Sequence, residues 1–144
     1  MILPDLNVLL YAYNAHSPEH SAAHSWWESV INGDDLIGIP SEISLGFVRL
    51  ATHSRLGAAS VSLAVAKSVV ESWLERPNAR ALIPDTEHFR RVVRLLELTT
   101  GRGSQVTDAS LASYAIANGA TLCSDDGDFA RFPGLQWVNP LVPA

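Results

Sequence analysis

The sequence predicts a three-layer α/β/α domain with a central, mostly parallel sheet of four to five strands. Short apolar runs alternate with segments of helical apolar spacing along the whole length, and capping or stop residues separate them. No internal repeat, linker or low-complexity tract interrupts the alternation. A length of 144 residues with 47% hydrophobic content suits one domain over residues 1–144 with a real core.

Taken in order, residues 1–5 form a buried strand ending at Asp5, followed by a short helix over 7–13. Ser17-Pro18 opens a helix through Ala23, Trp27 and Val30, which Asn32-Gly33 closes. A strand follows over 36–39. Pro40-Ser41-Glu42 starts the next helix, with Ser41 as N-cap and Ile43, Phe47 and Leu50 on its apolar face. An amphipathic helix covers 60–74, and Ala81, Leu82 and Ile83 make a third strand. Helical spacing returns over 86–98 until Gly101-Arg102-Gly103-Ser104 ends it. Thr107 is the expected N-cap of a helix over 108–118, stopped by Gly119. Strands at 120–124 and at Trp137-Val138 complete the sheet.

Composition excludes several classes. The net charge is −5, with 15 acidic and 10 basic residues, so nucleic acid is not held by a general basic surface. A single cysteine, Cys123, rules out an internal disulfide and reads as a small strand hydrophobe. No run approaches the roughly 18 to 20 apolar residues of a membrane span. The apolar start has neither a basic leader nor a cleavage site, so a soluble, cytoplasmic protein is expected.

The acids are placed suggestively. In open α/β sheets, ligand sites lie beyond the carboxyl ends of the strands. Asp5 ends the first strand, Glu42 follows the second, Asp126 and Asp128 follow the strand containing Cys123, and Asp108 opens the helix leading into that strand. Each has a plainer reading. Glu42 and Asp108 also suit the positive end of a helix dipole, and Asp125, Asp126, Gly127 and Asp128 also suit an acidic turn. Asp5, inside an apolar strand end with no basic neighbour in sequence, needs a partner or a cation. Four carboxylates without histidine or thiolate ligands suit Mg²⁺ or Mn²⁺, ions that polarise phosphodiesters and activate water.

Four stretches carry a family resemblance. MILPDLNVLLYA at 1–12, SEISLGFVRLAT at 41–52, VTDASLA at 106–112 and ATLCSDDGDFARFPGL at 120–135 resemble, in order, the motifs of PIN-domain toxins of the VapC type. Their metal-binding acids match Asp5, Glu42, Asp108 and a fourth at Asp126 or Asp128, with Asp126 taken as the closer ligand. The resemblance implies a PIN fold and metal-dependent endoribonuclease activity on tRNA, rRNA or mRNA. It also implies inhibition by a small VapB-like antitoxin and, commonly, a homodimer. Gly127 departs from the pattern, standing where the family often has a basic residue that contacts phosphate.

On this reading Asp5, Asp108 and Asp126 hold one or two ions, and Glu42 orients or deprotonates the attacking water. Asn7, Thr107 and Ser124 are candidates for supporting hydrogen bonds, or else turn and capping residues. Arg49, Arg55 and Arg102 are candidates for backbone contacts to RNA, or else solvated surface arginines. An antitoxin arginine could enter the acidic pocket and displace the metal. His16, His20 and His24 have a spacing that helical zinc ligands use, but lack a third ligand or catalytic glutamate. Trp26, Trp27 and Trp73 read as core or dimer contacts rather than base-stacking platforms. Two other classes stay open: another metal-dependent phosphohydrolase or DNA nuclease, and a catalytically silent module whose acids receive a partner's arginine.

Overall fold

The computed structural model describes residues 1–143; Ala144, the last residue of the expected domain, lies outside them. Five strands, β1 (Ile2–Pro4), β2 (Ile37–Pro40), β3 (Ala79–Leu82), β4 (Thr121–Cys123) and β5 (Gln136–Val138), form one sheet in the order β3-β2-β1-β4-β5. Every pairing is parallel, so the mostly parallel expectation becomes a wholly parallel sheet. The chain builds outward through β1, β2 and β3, then returns to lay β4 on the other side of β1.

Six helices fill the crossovers: α1 (Leu6–Tyr13), α2 (His20–Ile31), α3 (Ser41–Ala51), α4 (Leu63–Leu74), α5 (Thr86–Thr99) and α6 (Gln105–Asn118). Local chemistry sets their ends. Ser62 Oγ accepts from Val65 N at 3.2 Å and Asp85 Oδ1 from His88 N at 2.7 Å, each satisfying a free amide of the first turn. Gly119, at φ 59°, lets Ala120 N reach Ala115 O at 2.8 Å and close α6.

Several expected boundaries move, among them the starts of α2, at His20 rather than Ser17-Pro18, and of α4, at Leu63 rather than residue 60. Thr107 is not an N-cap, because α6 already begins at Gln105 after Ser104; Thr107 is exposed within the first turn. Ser41 is the first residue of α3, and Pro40 occupies the cap position. The third strand starts at Ala79, and Ile83 is 82% exposed beyond its end. A 3₁₀ segment at Ser54–Ala59, unforeseen in the sequence, lies between α3 and α4.

Leu3, Ile37, Ile39 and Leu122 bury the sheet against Leu9, Ile43, Phe47, Leu111 and Tyr114 from the helices. Gly46 permits close approach of α1 and α3, since a Cβ there would meet Leu6 Cδ2 at 2.8 Å. Trp27 and Trp73 are core residues, and both indole N–H groups donate to Tyr13 Oη, at 3.2 and 2.8 Å. Trp26 is half-buried beside Trp27. Cys123 is buried, and burial pushes its thiol up to about 12, which keeps it unreactive. No helix among the described residues is long and apolar enough to cross a membrane.

Candidate active site at the switch point of the sheet

Because the strand order reverses between β1 and β4, the segments leaving their carboxyl ends lead to opposite halves of the sheet and open a crevice between them. Register places Pro4 beside Cys123, and Asp5 N donates to Cys123 O at 2.9 Å. Asp5 and Ser124 are thus forced together, although 119 residues separate them. The Ser124 hydroxyl donates to Asp5 Oδ2 at 2.7 Å, and Leu6 N donates to Asp5 Oδ1 at 2.7 Å. Fully buried Ser124 also accepts from Asp126 N at 3.0 Å and from Asn7 Nδ2 at 3.4 Å.

Burial lifts the Asp5 carboxyl to about 6 even though both hydrogen bonds favour its ionised form, and the charges of Asp108 and Asp126 add to the rise. Asp108 is raised too, first by burial and then by Asp126, with Arg131 opposing and Asp128 adding. The mutual effects put Asp5, Asp108 and Asp126 in one neighbourhood. Asp126 accepts from Asp128 N at 2.9 Å, capping a 3₁₀ turn over Gly127–Arg131. Asp128 points outward; its carboxylate is 70% exposed and pairs with Arg131 at 3.1 Å.

Ser110 Oγ, two residues past Asp108 on α6, donates to Glu42 Oε1 at 2.9 Å, and the charge of Glu42 acts on His88 and Tyr114. Among the described residues, no three His, Cys, Asp or Glu side chains converge closely enough as they stand to hold an ion. The donor set nonetheless suits a hard divalent cation, being all oxygen and raised in energy by burial and repulsion.

A PIN-domain family model matches residues 2–135. The chain belongs to the PIN-domain family. This PIN domain is 40% identical over 141 residues to Ribonuclease VapC33 of Mycobacterium tuberculosis, covering 98% of this chain and 99% of that one. Ribonuclease VapC43 of the same species is 36% identical, with 98% and 96% covered. Among solved structures, the fold is similar to VapC20 of Mycobacterium tuberculosis, described as a sarcin-ricin loop cleaving toxin. There the TM-score is 0.70, with 16% identity and 94% and 99% of the two chains covered. It is also similar to VapBC2 from Rickettsia felis bound to a DNA fragment from their promoter, with TM-score 0.69, 22% identity and 96% and 98% covered.

The other expected residues of the PIN domain fall unevenly. Asn7 reaches the crevice, where Nδ2 donates to Asp125 as well as towards Ser124. Thr107 is exposed in the first turn of α6 and makes no side-chain hydrogen bond among the described residues. Arg102 is exposed on its loop. Arg49 and Arg55 are exposed and line an apolar groove of about 500 Å³ between α1, α3 and α4, a groove that none of the acids lines. Arg131, passed over in the sequence, is the cation that acts on Asp108. His20 and His24 stack with ring centroids 5.4 Å apart, but His20 Nδ1 lies 2.8 Å from Tyr11 O and His24 3.4 Å from Glu28, and among the described residues no three-ligand group forms there.

Proposed function

We propose that this PIN domain is a divalent-metal-dependent endoribonuclease and the toxin of a toxin–antitoxin pair. The observation that carries the reading is the trio Asp5, Asp108 and Asp126 at the switch point, half-buried and mutually repelling. The relatives named ribonucleases, similar over nearly the whole chain, support RNA as substrate.

Asp5, Asp108 and Asp126 would hold Mg²⁺ or Mn²⁺, with Asp128 occupied instead by Arg131. Such an ion, when bound, polarises the phosphodiester and makes a bound water acidic. Ser124 and Leu6 N fix the two Asp5 oxygens, and Asn7 and Asp126 N fix Ser124 in turn. Glu42 Oε1 accepts from Ser110, Oε2 meets Ser41 at a long 3.5 Å and the Tyr114 hydroxyl lies against the carboxylate, which would orient the attacking water and take its proton. Arg131 at the rim supplies a positive charge for phosphate, in place of the basic residue that Gly127 lacks.

The partner reading rests on the groove. Leu10, Phe47, Leu50 and Val69 line an apolar floor, and Arg49 and Arg55 its rim, which suits an amphipathic helix with acidic flanks from a VapB-like antitoxin. The similarity to VapBC2 points the same way. A homodimer in the cytoplasm completes the reading.

The deciding experiment is cleavage of total cellular RNA by purified, antitoxin-free protein in Mg²⁺, Mn²⁺ or EDTA, beside Asp5→Ala. Discrete metal-dependent cuts, lost in the variant and absent on single-stranded DNA, are expected. DNA cleavage would move the reading to a DNA nuclease, and an inert protein that binds no Mn²⁺ to a protein-binding module.

A further inference from the structure

His88 on α5 is 5% exposed, outside the acid trio, and both of its ring nitrogens have partners. Nε2 lies 2.9 Å from Ser110 Oγ and Nδ1 lies 3.4 Å from Ser113 Oγ. A hydroxyl has one proton, and Ser110 gives its own to Glu42 Oε1 at 2.9 Å. Ser110 therefore accepts from His88, which puts the imidazole proton on Nε2. Nδ1 is left with a lone pair and accepts from the Ser113 hydroxyl, which in turn accepts from Arg91 Nε at 3.3 Å. Every donor runs one way: Arg91 to Ser113 to His88 to Ser110 to Glu42. Tyr114 stacks on the imidazole with centroids 3.9 Å apart and planes 28° apart, holding the ring in the plane that the chain needs.

We propose that His88 is a positioning residue for the reaction, fixing the Glu42 carboxylate through Ser110, which occupies Oε1. The inference rests on the ribonuclease reading for what Glu42 does, but the hydrogen-bond chain can be observed without it. Two features make the arrangement more than packing. Polar side chains buried between two helices are costly unless fully satisfied, and an apolar residue would fill this space at lower cost. The chain also ends on the carboxylate proposed to act on water rather than on a backbone group that any fold must satisfy. A neutral imidazole donates firmly without introducing a charge; burial lowers its pKa against the pull of Glu42, which keeps it neutral.

The test compares His88→Leu, His88→Gln, Ser110→Ala and the double variant His88→Leu/Ser110→Ala, using Mn²⁺-dependent cleavage of a single-stranded RNA that the wild type cuts. Leu removes the donor, whereas the Gln amide can replace Nε2–H. Expected are a tenfold or larger fall in kcat with KM within about twofold for His88→Leu and Ser110→Ala, and recovery to within about threefold for His88→Gln. The double variant is expected to be no slower than Ser110→Ala, because both changes cut one chain. A folded His88→Leu with wild-type kcat, multiplicative losses in the double variant, or no rescue by Gln would overturn the proposal. Imidazole ¹⁵N NMR of the whole protein separates this from failure of the ribonuclease reading. A neutral Nε2–H tautomer whose signal moves in Ser110→Ala and in Glu42→Gln is expected even if no RNA is cut; an Nδ1–H tautomer, or a signal unmoved by both changes, overturns the chain itself.

Discussion

The Ser124 hydroxyl donates to Asp5 Oδ2 at 2.7 Å across the seam between β1 and β4, while its oxygen accepts from Asp126 N at 3.0 Å. One buried side chain thus ties the first acid of the chain to the turn carrying the last. Ser124→Ala removes that tie and leaves Asp126 N without its acceptor. A loss of about 1–3 kcal/mol in unfolding free energy is expected by urea denaturation, with Mn²⁺ affinity down by roughly 10-fold or more in calorimetric titration. Unchanged Mn²⁺ affinity would detach Ser124 from the site.

The raised pKa of Asp5 makes the metal-free protein sensitive to pH in a definite direction. A carboxyl whose folded pKa, about 6, exceeds its unfolded value stabilises the fold while protonated; that contribution is lost as pH rises from about 4 through about 6. The shift corresponds to at most about 3 kcal/mol. Asp5→Asn in EDTA is therefore expected to melt several degrees above wild type at pH 7.5 and near it at pH 4.5, by calorimetry. Added Mn²⁺ should reverse the order at pH 7.5 by stabilising only the wild type.

Asp126 and Asp128 differ in what they already do. Asp128 spends its exposed carboxylate on Arg131, whereas Asp126 belongs to the set of charges acting on both Asp5 and Asp108. Asp126→Asn, which keeps the cap on Asp128 N, is expected to lower metal-dependent cleavage by about 100-fold or more, and Asp128→Asn by no more than about threefold. Equal losses in single-turnover assays would make both ligands.

Much of this was legible in the sequence because it depends on local rules. Apolar runs and caps marked all five strands and the six helices, and Asp5 stood out because an acid at the end of an apolar strand needs a reason. The strand order was not legible, since it depends on which long-range pairs form. That order is what brings Ser124 to Asp5. Thr107 misled because its N-cap chemistry is real but an earlier start, at Gln105, supplied another first turn. On charge alone Arg49 and Arg55 read either as RNA contacts or as solvated surface arginines, and only coordinates place them along an apolar groove. Nothing in the sequence singles out His88; only the packing of α5 against α6 aligns it with Ser110 and Ser113.

Tyr13 Oη accepts from the indoles of both Trp27 and Trp73, each nearly fully buried. Tyr13→Phe keeps the ring contacts with Phe47 and Trp73 but strands two N–H donors. Because Tyr13 is itself 40% exposed, water can recover part of the loss, and a cost of about 1–3 kcal/mol is expected. Near-UV circular dichroism and urea melts would check it, with cleavage per folded molecule unchanged.

None of the acids lines the groove, and only Tyr11, which lines it and also feels the charges of Asp125 and Asp5, links it to the site. A charge placed in the groove should therefore affect a partner without touching the chemistry. Val65 is 48% exposed at the groove wall, so Val65→Glu costs the fold little. It would bury an unpaired carboxylate beneath a docked apolar helix, an arrangement worth at least tenfold in affinity. The expected result is weaker cognate antitoxin binding by titration calorimetry, with Mn²⁺-dependent cleavage at the wild-type rate and higher antitoxin concentrations needed to suppress it. Wild-type antitoxin affinity in this variant would place the partner's helix elsewhere, and a parallel loss of cleavage would mean that the groove also holds RNA.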